Sequence, residues 1–452
     1  MNDHREPVMG WGRYPRSRAN VRALDAWKDA AVAGPRIARG AGRSYGDASF
    51  LSDGTVLDAR PRDRFLEFDA TTGRLRAEAG VTLGEVLAVT VPAGWFLPVT
   101  PGTKFATLGG SVAADVHGKN HHVSGNLSSF VESLTLLLAD GSEAVCSATQ
   151  DAPLFWATCG GMGLTGLIRA VTLRMKRIET SLIRVRTDCC RDLDAVMSLL
   201  SENAAAFHYS VAWIDCLARG RTLGRSAVMR GDHARVDDLP RALRENPIAP
   251  CRPKRWRVPC DLPGFTLNPL TVRIFNTLYY GSRPIGERLV HYDPFFYPLD
   301  AVLDWNRLYG RRGFLQYQCV LPHATSHEGL VFLLEAFART RNASFLAVLK
   351  TMGAESGPLG FPLPGFTLAL DIPMHGFALL ELLDTLDEKV ASLGGRVYLA
   401  KDARMNARWM PAMYPRLPEW LAVKKRVDPS GVFASDLSRR LHLASAVIPQ
   451  IV

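Results

Sequence analysis

The sequence predicts an α+β fold built from sheets of mixed strand direction with flanking helices. Up to about residue 176, short apolar segments typical of strands alternate with glycine-rich turns. Beyond residue 177 the predicted strands become longer, and amphipathic helices appear between them. Because strands and helices do not alternate strictly, the order of elements does not favour a parallel α/β array.

The first part contains two short predicted helices and four predicted strands. One helix, at 82–94, begins at Thr82, a residue type that commonly caps helix N-termini, and the other lies at 151–159. Asp140 and Gly141 between two apolar runs predict a hairpin turn. The strands are expected at 54–59, 74–80, 131–141 and 164–175.

The second part is expected to form an antiparallel sheet flanked by helices. Segment 230–290 is rich in Arg, Pro and Gly and has weak periodicity, which predicts a loop or mobile lid. Segment 425–441 predicts a turn followed by a short helix. Helices are predicted at 192–204, 327–340 and 376–394. Strands are predicted at 181–189, 207–217, 313–322, 345–353, 366–374 and 395–403.

The composition is that of a globular protein with two or three domains. Of the 452 residues 47% are hydrophobic, and no apolar run reaches the length that spans a bilayer. The start of the chain has no apolar segment of the kind found in secretory signals, so we expect a cytoplasmic location. The apolar stretch 441–452 is expected to pack on the core or on a partner, with contact to a membrane surface as the alternative.

The net charge of +10 suits an anionic partner, such as a phosphate ligand, a nucleic acid or an anionic lipid surface. The basic runs 252–257 and 424–426 are short and match no nucleic-acid motif, so each is interpreted as a solvated face. The cysteines have no zinc-site spacing, and we expect them to be reduced and buried. They are Cys146, Cys159, Cys189, Cys190, Cys216, Cys251, Cys260 and Cys319.

Three glycine-rich segments, 39–47, 101–122 and 160–166, lie in the first part of the chain. Glycine permits positive φ and lets backbone N–H groups come close to a pyrophosphate or a flat ligand. The first of these segments matches neither a P-loop nor the Rossmann spacing in its proper context. One such segment is weak evidence, but three that are separated by strands are far more specific.

The second glycine-rich segment also carries His117, His121 and His122 beside Lys119. A histidine cluster can bind a metal, but neither an HExxH pattern nor a carboxylate companion accompanies this one. We therefore expect no metal site.

Motifs from about residue 10 to residue 441 resemble those of the vanillyl-alcohol-oxidase superfamily, whose FAD-binding domain is of the PCMH type. Within it, the sequence is most similar to the decaprenylphosphoryl-ribose oxidases, the flavoenzyme half of a two-enzyme epimerase. The HGKNHH and AKD segments are specific, whereas the glycine loops alone are not. The motifs are GWGR (10–13), ARGAGRSYGD (38–47), HGKNHH (117–122), LFWATCGGMGLTG (154–166), WNRLYGRRGFLQYQ (305–318), AKDAR (400–404), MYPR (413–416) and VDPSGVFASDLSRRL (427–441).

The resemblance implies a two-subdomain FAD-binding domain at 1–176 and a substrate-binding or cap domain at 177–400, with a mobile segment at about 230–290. A C-terminal segment, 401–452, is expected to return to the FAD-binding domain. The implied FAD-binding residues are Arg39, Gly40, Ala41, Gly42, Arg43, Ser44, Tyr45, Pro101, Gly102, Thr103, Thr107, Gly109, Gly110, Ala113, Ala114, His117, Gly118, Gly163, Ile168, Tyr398 and Lys401.

Two positions depart from the family pattern. Many superfamily members attach FAD covalently through a histidine in the first glycine loop, and the matching position here is Arg43. Arginine cannot form that bond, so we expect non-covalent FAD, with attachment through a cysteine or His117 as the alternative. Ala369 stands where well-known members carry a cysteine facing the substrate, and that cysteine is not expected to do the chemistry.

FAD would carry the hydride chemistry, while the protein supplies orientation, a base and charge. By resemblance, Lys401 lies beside flavin N1 or beside the substrate hydroxyl, and His117 lies on the flavin and substrate side. Gln316 and Gln318 are two apart on a strand, share one face and can hydrogen-bond sugar hydroxyls. Lys119 is a candidate for the substrate phosphate. The other substrate-binding candidates are Asn120, Tyr45, Tyr297 and Ala369.

The implied reaction oxidises the ribose C2 hydroxyl of a polyprenyl-phosphoryl sugar to a 2-keto sugar. It is the first half of an epimerisation to the arabinose form, a cell-wall arabinan precursor. The implied partners are a short-chain reductase, a quinone-like or other electron acceptor and, because the substrate is a lipid, the inner face of the cell membrane. No nucleic acid is expected.

Three alternatives remain open from the sequence. The first is an alditol or sugar-lactone oxidase, which commonly has the covalent histidine. The second is an oxidase of the same subfamily that acts on another glycosyl or cyclitol lipid. The third is a basic, non-catalytic protein that binds nucleic acid or an anionic membrane, and it would carry no flavin colour.

Overall fold

The computed structural model describes residues 5–202, 206–250, 255–340 and 344–443. Within these ranges the chain forms a four-stranded, a five-stranded and an eight-stranded sheet, together with two short strand pairs. Helices flank the sheets, as expected for an α+β fold. None of the described helices is both long enough and apolar enough to cross a bilayer.

The first sheet has the strand order β1–β2–β4–β3. Strands β2 and β3 are both parallel to β4, whereas β1 is antiparallel to β2. Its strands are β1 (Arg5–Met9), β2 (Arg16–Ala23), β3 (Arg36–Arg39) and β4 (Thr55–Asp58). The first glycine-rich segment begins at the end of β3, so this sheet fixes where that loop starts.

The second sheet is antiparallel, with the order β5–β6–β10–β8–β9. The predicted turn at Asp140 and Gly141 is confirmed between β8 and β9, where Gly141 has a φ of +85°. The strands up to this point are β5 (Phe65–Asp69), β6 (Arg74–Glu78), β7 (Trp95–Phe96), β8 (Val131–Leu137), β9 (Glu143–Cys146), β10 (Leu167–Arg174) and β11 (Lys176–Arg177). Strands β7 and β11 form a separate pair.

Short helices connect these strands, and both predicted ones are present. Thr82 caps the first helix through a reciprocal capping box with Glu85, and Asp151 caps the fourth. The helices are α1 (Leu83–Thr90), α2 (Leu108–Ala113), α3 (His121–Ser124) and α4 (Ala152–Thr158). Helix α2 belongs to the second glycine-rich segment and α4 precedes the third.

The third sheet is antiparallel and runs in the order β16–β12–β14–β13–β19–β20–β18–β21. Its strands are β12 (Leu182–Cys190), β13 (Tyr209–Ile214), β14 (Ser226–His233), β16 (Gly286–His291), β18 (Phe314–Pro322), β19 (Ala347–Met352), β20 (Gly365–Pro373) and β21 (Arg396–Val397). Strands β15 (Trp256–Arg257) and β17 (Val302–Leu303) form a parallel pair outside it.

The later helices are α5 (Leu193–Ser201), α6 (Arg241–Arg244), α7 (Pro269–Gly281), α8 (Tyr292–Phe296), α9 (Ser326–Thr340), α10 (Phe377–Ser392), α11 (Met410–Met413), α12 (Leu417–Val427) and α13 (Asp436–Arg440). On β18, Leu315, Tyr317 and Cys319 belong to the same buried core as α9 and α10. The alternate residues, Gln316 and Gln318, line a cavity. The large sheet therefore has one helix-covered face and one face that is open to a site.

Two predicted elements differ from the structure. The predicted strand at 395–403 ends at Val397, because the backbone then turns and the N–H groups of Lys401 and Asp402 both donate to Tyr398 O. Segment 230–290 is not one long loop, since it contains the end of β14, α6, β15, α7 and the start of β16. Residues 251–254 lie outside the described part.

The C-terminal segment contacts elements from the start of the chain. Lys424 Nζ donates to Leu164 O at 2.7 Å and forms a buried ion pair with Asp428. Arg440 forms ion pairs with Asp47 and Asp402, each at 2.8 Å. The interpretation of 424–426 as a solvated face is therefore wrong for Lys424.

Further predictions concern the chain end, the cysteines and the domain boundaries. Leu441 and Leu443 are buried, while 444–452 lie outside the described residues. Cys260 is exposed and Cys189 half-buried, contrary to the expectation of burial, and Cys251 falls in an undescribed segment. The other five cysteines are free and buried. The domain boundaries at 176 and 400 stay predictions.

Candidate active site

A cavity of about 540 Å³ is lined by the glycine-rich segments and by the open face of the large sheet. Pockets of roughly 300–1,000 Å³ are typical of cofactor and ligand sites. All of the predicted cofactor-binding residues except Arg39 lie on its wall, as do Gln316, Gln318, Lys119 and Ala369. Residues that are far apart in sequence thus meet around one space.

The first glycine-rich segment is held close to the second. A Cβ added at Gly40 would lie 2.2 Å from Thr107 Oγ1, so only glycine fits there without a shift. Gly42 has a φ of +63°, in the left-handed region that favours glycine. Arg39 does not line the cavity, because its guanidinium braces the loop, donating to Met9 O at 2.7 Å and to Ser49 Oγ at 3.1 Å.

The second and third glycine-rich segments complete this part of the wall, and we call the three segments together the glycine cradle. Thr107 caps α2, and a Cβ added at Gly109 would lie 2.6 Å from the Cβ of Ala79. A Cβ added at Gly102 would meet nothing within 4 Å, although this residue lies on the cavity wall. Gly109 therefore lets α2 pack closely against Ala79, and Gly102 leaves bare backbone on the wall, which fits a large ligand with a flat ring system.

Arg43 lies on the wall with its guanidinium 4.2 Å from the ring centroid of Trp11 and 5.1 Å from that of Phe105. Its Nε is buried and has no hydrogen-bond partner among the described residues. Burial lowers the pKa of Arg43, and Asp300 and Asp304 act against that shift. A buried donor without a partner on a cavity wall is suited to a ligand that brings an acceptor.

His117 is buried between aromatic rings, with its centroid 5.2 Å from that of Tyr398 and 5.5 Å from that of Phe361. Its Nε2 lies 2.9 Å from Nε2 of Gln318, so the Gln318 amide donates and the imidazole nitrogen accepts. Burial lowers the pKa of His117 well below its usual value, and the positive charge of Lys350 adds to this shift. The imidazole is therefore neutral at physiological pH.

Lys401 Nζ lies 3.9 Å from the ring centroid of Tyr45. The Tyr45 N–H donates to Ala400 O at 3.1 Å, which fixes the first glycine loop against this segment. Burial lowers the pKa of Lys401 and raises that of Asp371, and the attraction between the two charges opposes both shifts. Gln316, which also lines the cavity, donates a hydrogen bond to Asp371 and is thereby connected to the Lys401–Asp371 pair.

Two further lysines face the same space. Lys119 donates to Phe295 O, and burial lowers its pKa to about 7. Lys350 on β19 lines the cavity, and its ammonium makes no hydrogen bond or ion pair with another described residue. Burial lowers its pKa to about 8. Sequence reasoning missed Lys350, although a single lysine inside an apolar strand was a usable signal.

Two predicted substrate-binding residues do not reach the wall. Asn120 Nδ2 donates to Pro98 O at 2.8 Å, and Tyr297 shares a hydrogen bond of 2.7 Å with Thr100. Both side chains are buried, and their hydrogen bonds stabilise the chain at and next to the second glycine-rich segment without lining the cavity. Ala369 does line the cavity. It pairs with Gln318 on the neighbouring strand, and its small side chain leaves room beside the Gln318 amide.

The chain is similar to known oxidoreductases. A family model for an FAD binding domain matches residues 13–147, and one for D-arabinono-1,4-lactone oxidase matches residues 373–441. Decaprenylphosphoryl-beta-D-ribose oxidase of Mycolicibacterium smegmatis is 38% identical, over 96% of this chain and 97% of that protein. A Streptomyces coelicolor protein of unassigned function is 37% identical, over 80% of this chain and 100% of its own length.

A more distant relative, alditol oxidase from a Streptomyces species, is 26% identical over 94% of this chain and 92% of its own length. The FAD binding domain, the glycine cradle and the oxidase relatives define an FAD-dependent oxidoreductase. The glycine-rich wall and the buried Arg43 Nε, which has no hydrogen-bond partner among the described residues, fit that cofactor. With 38% identity across nearly its whole length, the chain belongs to the decaprenylphosphoryl-ribose oxidase family.

Proposed function

We propose that the chain oxidises the ribose C2 hydroxyl of a polyprenyl-phosphoryl ribose to a 2-keto sugar. The observation that carries the proposal is that Lys401, His117, Gln316 and Gln318 line one cavity together with the glycine cradle. The name of the Mycolicibacterium smegmatis relative supports the choice of sugar. A short-chain reductase would complete the epimerisation, and a quinone-like acceptor would reoxidise the enzyme.

FAD, when bound, supplies the hydride-accepting chemistry. The three glycine segments would hold it, with Arg43 on the first of them and Tyr398 and Lys401 beside them. Gln316 and Gln318 would orient the sugar by hydrogen bonds. These two side chains sit on a β-strand of a packed sheet, so their positions are fixed before the substrate arrives.

We propose that the neutral amine of Lys401 is the base that accepts the proton of the substrate hydroxyl. Burial lowers the pKa of His117 so far that its imidazole is a weak base, whereas the lowered pKa of Lys401 leaves a useful fraction of free amine. Once protonated, the Lys401 ammonium would stand beside the negative charge that the cofactor gains. His117 would accept a hydrogen bond from the sugar in place of the Gln318 amide.

The substrate assignment is tested by anaerobic reduction. Purified holoenzyme mixed with a polyprenyl-phosphoryl ribose should lose its flavin absorbance within the time of a turnover. The 2-keto sugar should form in proportion to the flavin reduced. If no phosphoryl-sugar lipid bleaches the flavin while xylitol does and yields peroxide in air, the alditol-oxidase alternative replaces this proposal. Bleaching by a different glycosyl or cyclitol lipid would reassign the sugar.

FAD is expected to be non-covalent because Arg43 stands at the position of the linking histidine. Acid precipitation should therefore move the flavin absorbance into the supernatant. An Arg43→His variant, treated in the same way, provides the matched comparison. Flavin that stays with the pellet of the unsubstituted protein would mean attachment elsewhere, through a cysteine or His117.

The pH dependence should report Lys119. If its ammonium binds the substrate phosphate, kcat/KM falls as pH rises above about 7, because the free enzyme then loses this charge. In Lys119→Arg the charge persists because the guanidinium stays protonated, so the falling limb should move to higher pH. Profiles measured on both proteins with the same substrate test this, and an unmoved falling limb would remove Lys119 from phosphate binding.

A further inference from the structure

Exposed apolar side chains are concentrated on and around α7. Leu270, Ile274 and Leu278, four residues apart, lie along one line of the helix and are 67%, 53% and 66% exposed. Phe265 before the helix and Ile285 after it are 76% and 73% exposed. We call these five residues the α7 surface. A contiguous apolar face of this kind on a water-exposed helix marks an interaction site.

The charge around the α7 surface is mainly positive. From residue 255 to residue 288 the sequence contains five arginines and two carboxylates. Arg273 is exposed and Arg283 is half-buried. Of the two carboxylates, Glu287 is exposed, whereas Asp261 is half-buried in an ion pair. Apolar side chains flanked by arginines fit a bilayer with anionic headgroups. A second copy of the same surface would bring like charges together.

The opposite side of α7 is part of the site. Tyr279 lines the cavity and lies 4.7 Å, between ring centroids, from Trp213, which lines it too. Val272 is buried, and Asn276 donates to the buried Asp215 at 2.7 Å. The helix is thus fixed in place, with one face on the cavity and the other on solvent.

We propose that the α7 surface docks the protein on an anionic lipid bilayer. Leu270, Ile274 and Leu278 would enter the headgroup and acyl boundary, with Arg273 and Arg283 at the level of the phosphates. The exposure and charge of the α7 surface support docking whatever the substrate is. The use of this surface, to admit a lipid-linked sugar from the bilayer to the cavity beneath α7, rests on the proposed function.

The test is flotation of holoenzyme with vesicles of equal parts phosphatidylcholine and phosphatidylglycerol, and with vesicles of phosphatidylcholine alone. The unsubstituted protein should float with the anionic vesicles. The triple variant Leu270→Ser, Ile274→Ser, Leu278→Ser should bind them at least about tenfold more weakly. Because all three side chains are exposed, its melting temperature and flavin content should be unchanged. Val89→Ser with Val145→Ser, two exposed valines elsewhere, is the control.

Several results would overturn the docking proposal. One is failure of the unsubstituted protein to bind anionic vesicles, and another is equal binding by the triple variant. A third is self-association of the unsubstituted protein that the triple variant loses without a change in vesicle binding, which would assign the α7 surface to a second copy. Flavin reduction by a water-soluble, short-chain phosphoryl ribose should be equal in all variants. If this substrate reduced the flavin in none of the proteins, the proposed substrate would be wrong, and the docking result would be unaffected.

Discussion

Gly46→Ala should lower the melting temperature by about 5 °C or more and deplete the purified protein of FAD. A Cβ at this position would lie 1.9 Å from the backbone oxygen of Asp402 and 2.8 Å from the Cα of Ala403. Backbone atoms cannot rotate away as a side-chain end can. Arg440 also holds Asp402 by an ion pair of 2.8 Å, so the obstacle is fixed.

The expected consequence is separation of the first glycine loop from the segment that carries Lys401. The hydrogen bond from Tyr45 N–H to Ala400 O joins these two segments. Gly264→Ala is the matched control, since a Cβ there meets nothing within 4 Å and its φ is not in the left-handed region. Thermal melts and the ratio of flavin to protein absorbance measure both effects. A Gly46→Ala protein with unchanged flavin content would show that the two segments tolerate separation.

Lys401→Met should slow flavin reduction by roughly a hundredfold or more, because one change removes both the proposed base and a cation. Methionine has a similar length and no charge, so the packing against Tyr45 is largely kept. Flavin content and melting temperature should stay close to those of the unsubstituted protein. The measurement is the anaerobic bleaching rate at saturating substrate.

The control for Lys401→Met is Lys389→Met, which removes a lysine paired with Glu328 on the outer side of α10. It should stay within about twofold of the unsubstituted rate, since exposed ion pairs contribute little. If Lys401→Met reduced its flavin at the unsubstituted rate, the base would have to be another group. Lys350 would then be the first to test, because its amine faces the same cavity.

Local signals carried most of what the sequence predicted correctly. The Thr82 cap and the turn at Asp140 and Gly141 depend on side chains a few residues away, and both were found where expected. The pairing of Gln316 with Gln318 on one face follows from strand alternation, and both line the cavity. The α+β class followed from the same patterns.

Tertiary contacts decided what the sequence could not. Asn120 and Tyr297 were expected at the substrate, but their partners, Pro98 and Thr100, are invisible to any local pattern. Helix α7 was missed because several of its apolar residues face solvent, which weakens the periodicity that predicts a helix. Lys350 is a lone lysine in an apolar strand, which was a usable signal, but its burial beside the cavity depends on pairing with a strand from a later part of the chain.

The edge of the first sheet has a consequence for how the protein is made. Arg36 on β3 pairs with Phe433. The Arg36 N–H donates to Val432 O, and the Ala434 N–H donates to Arg36 O. The outer edge of this strand is therefore covered by residues that are synthesised much later than the strand itself. Until they arrive, that edge offers free backbone groups to other chains, as open strand edges do. Closing it is a late, long-range step of folding, and we expect the yield of native enzyme to depend on how fast that step is.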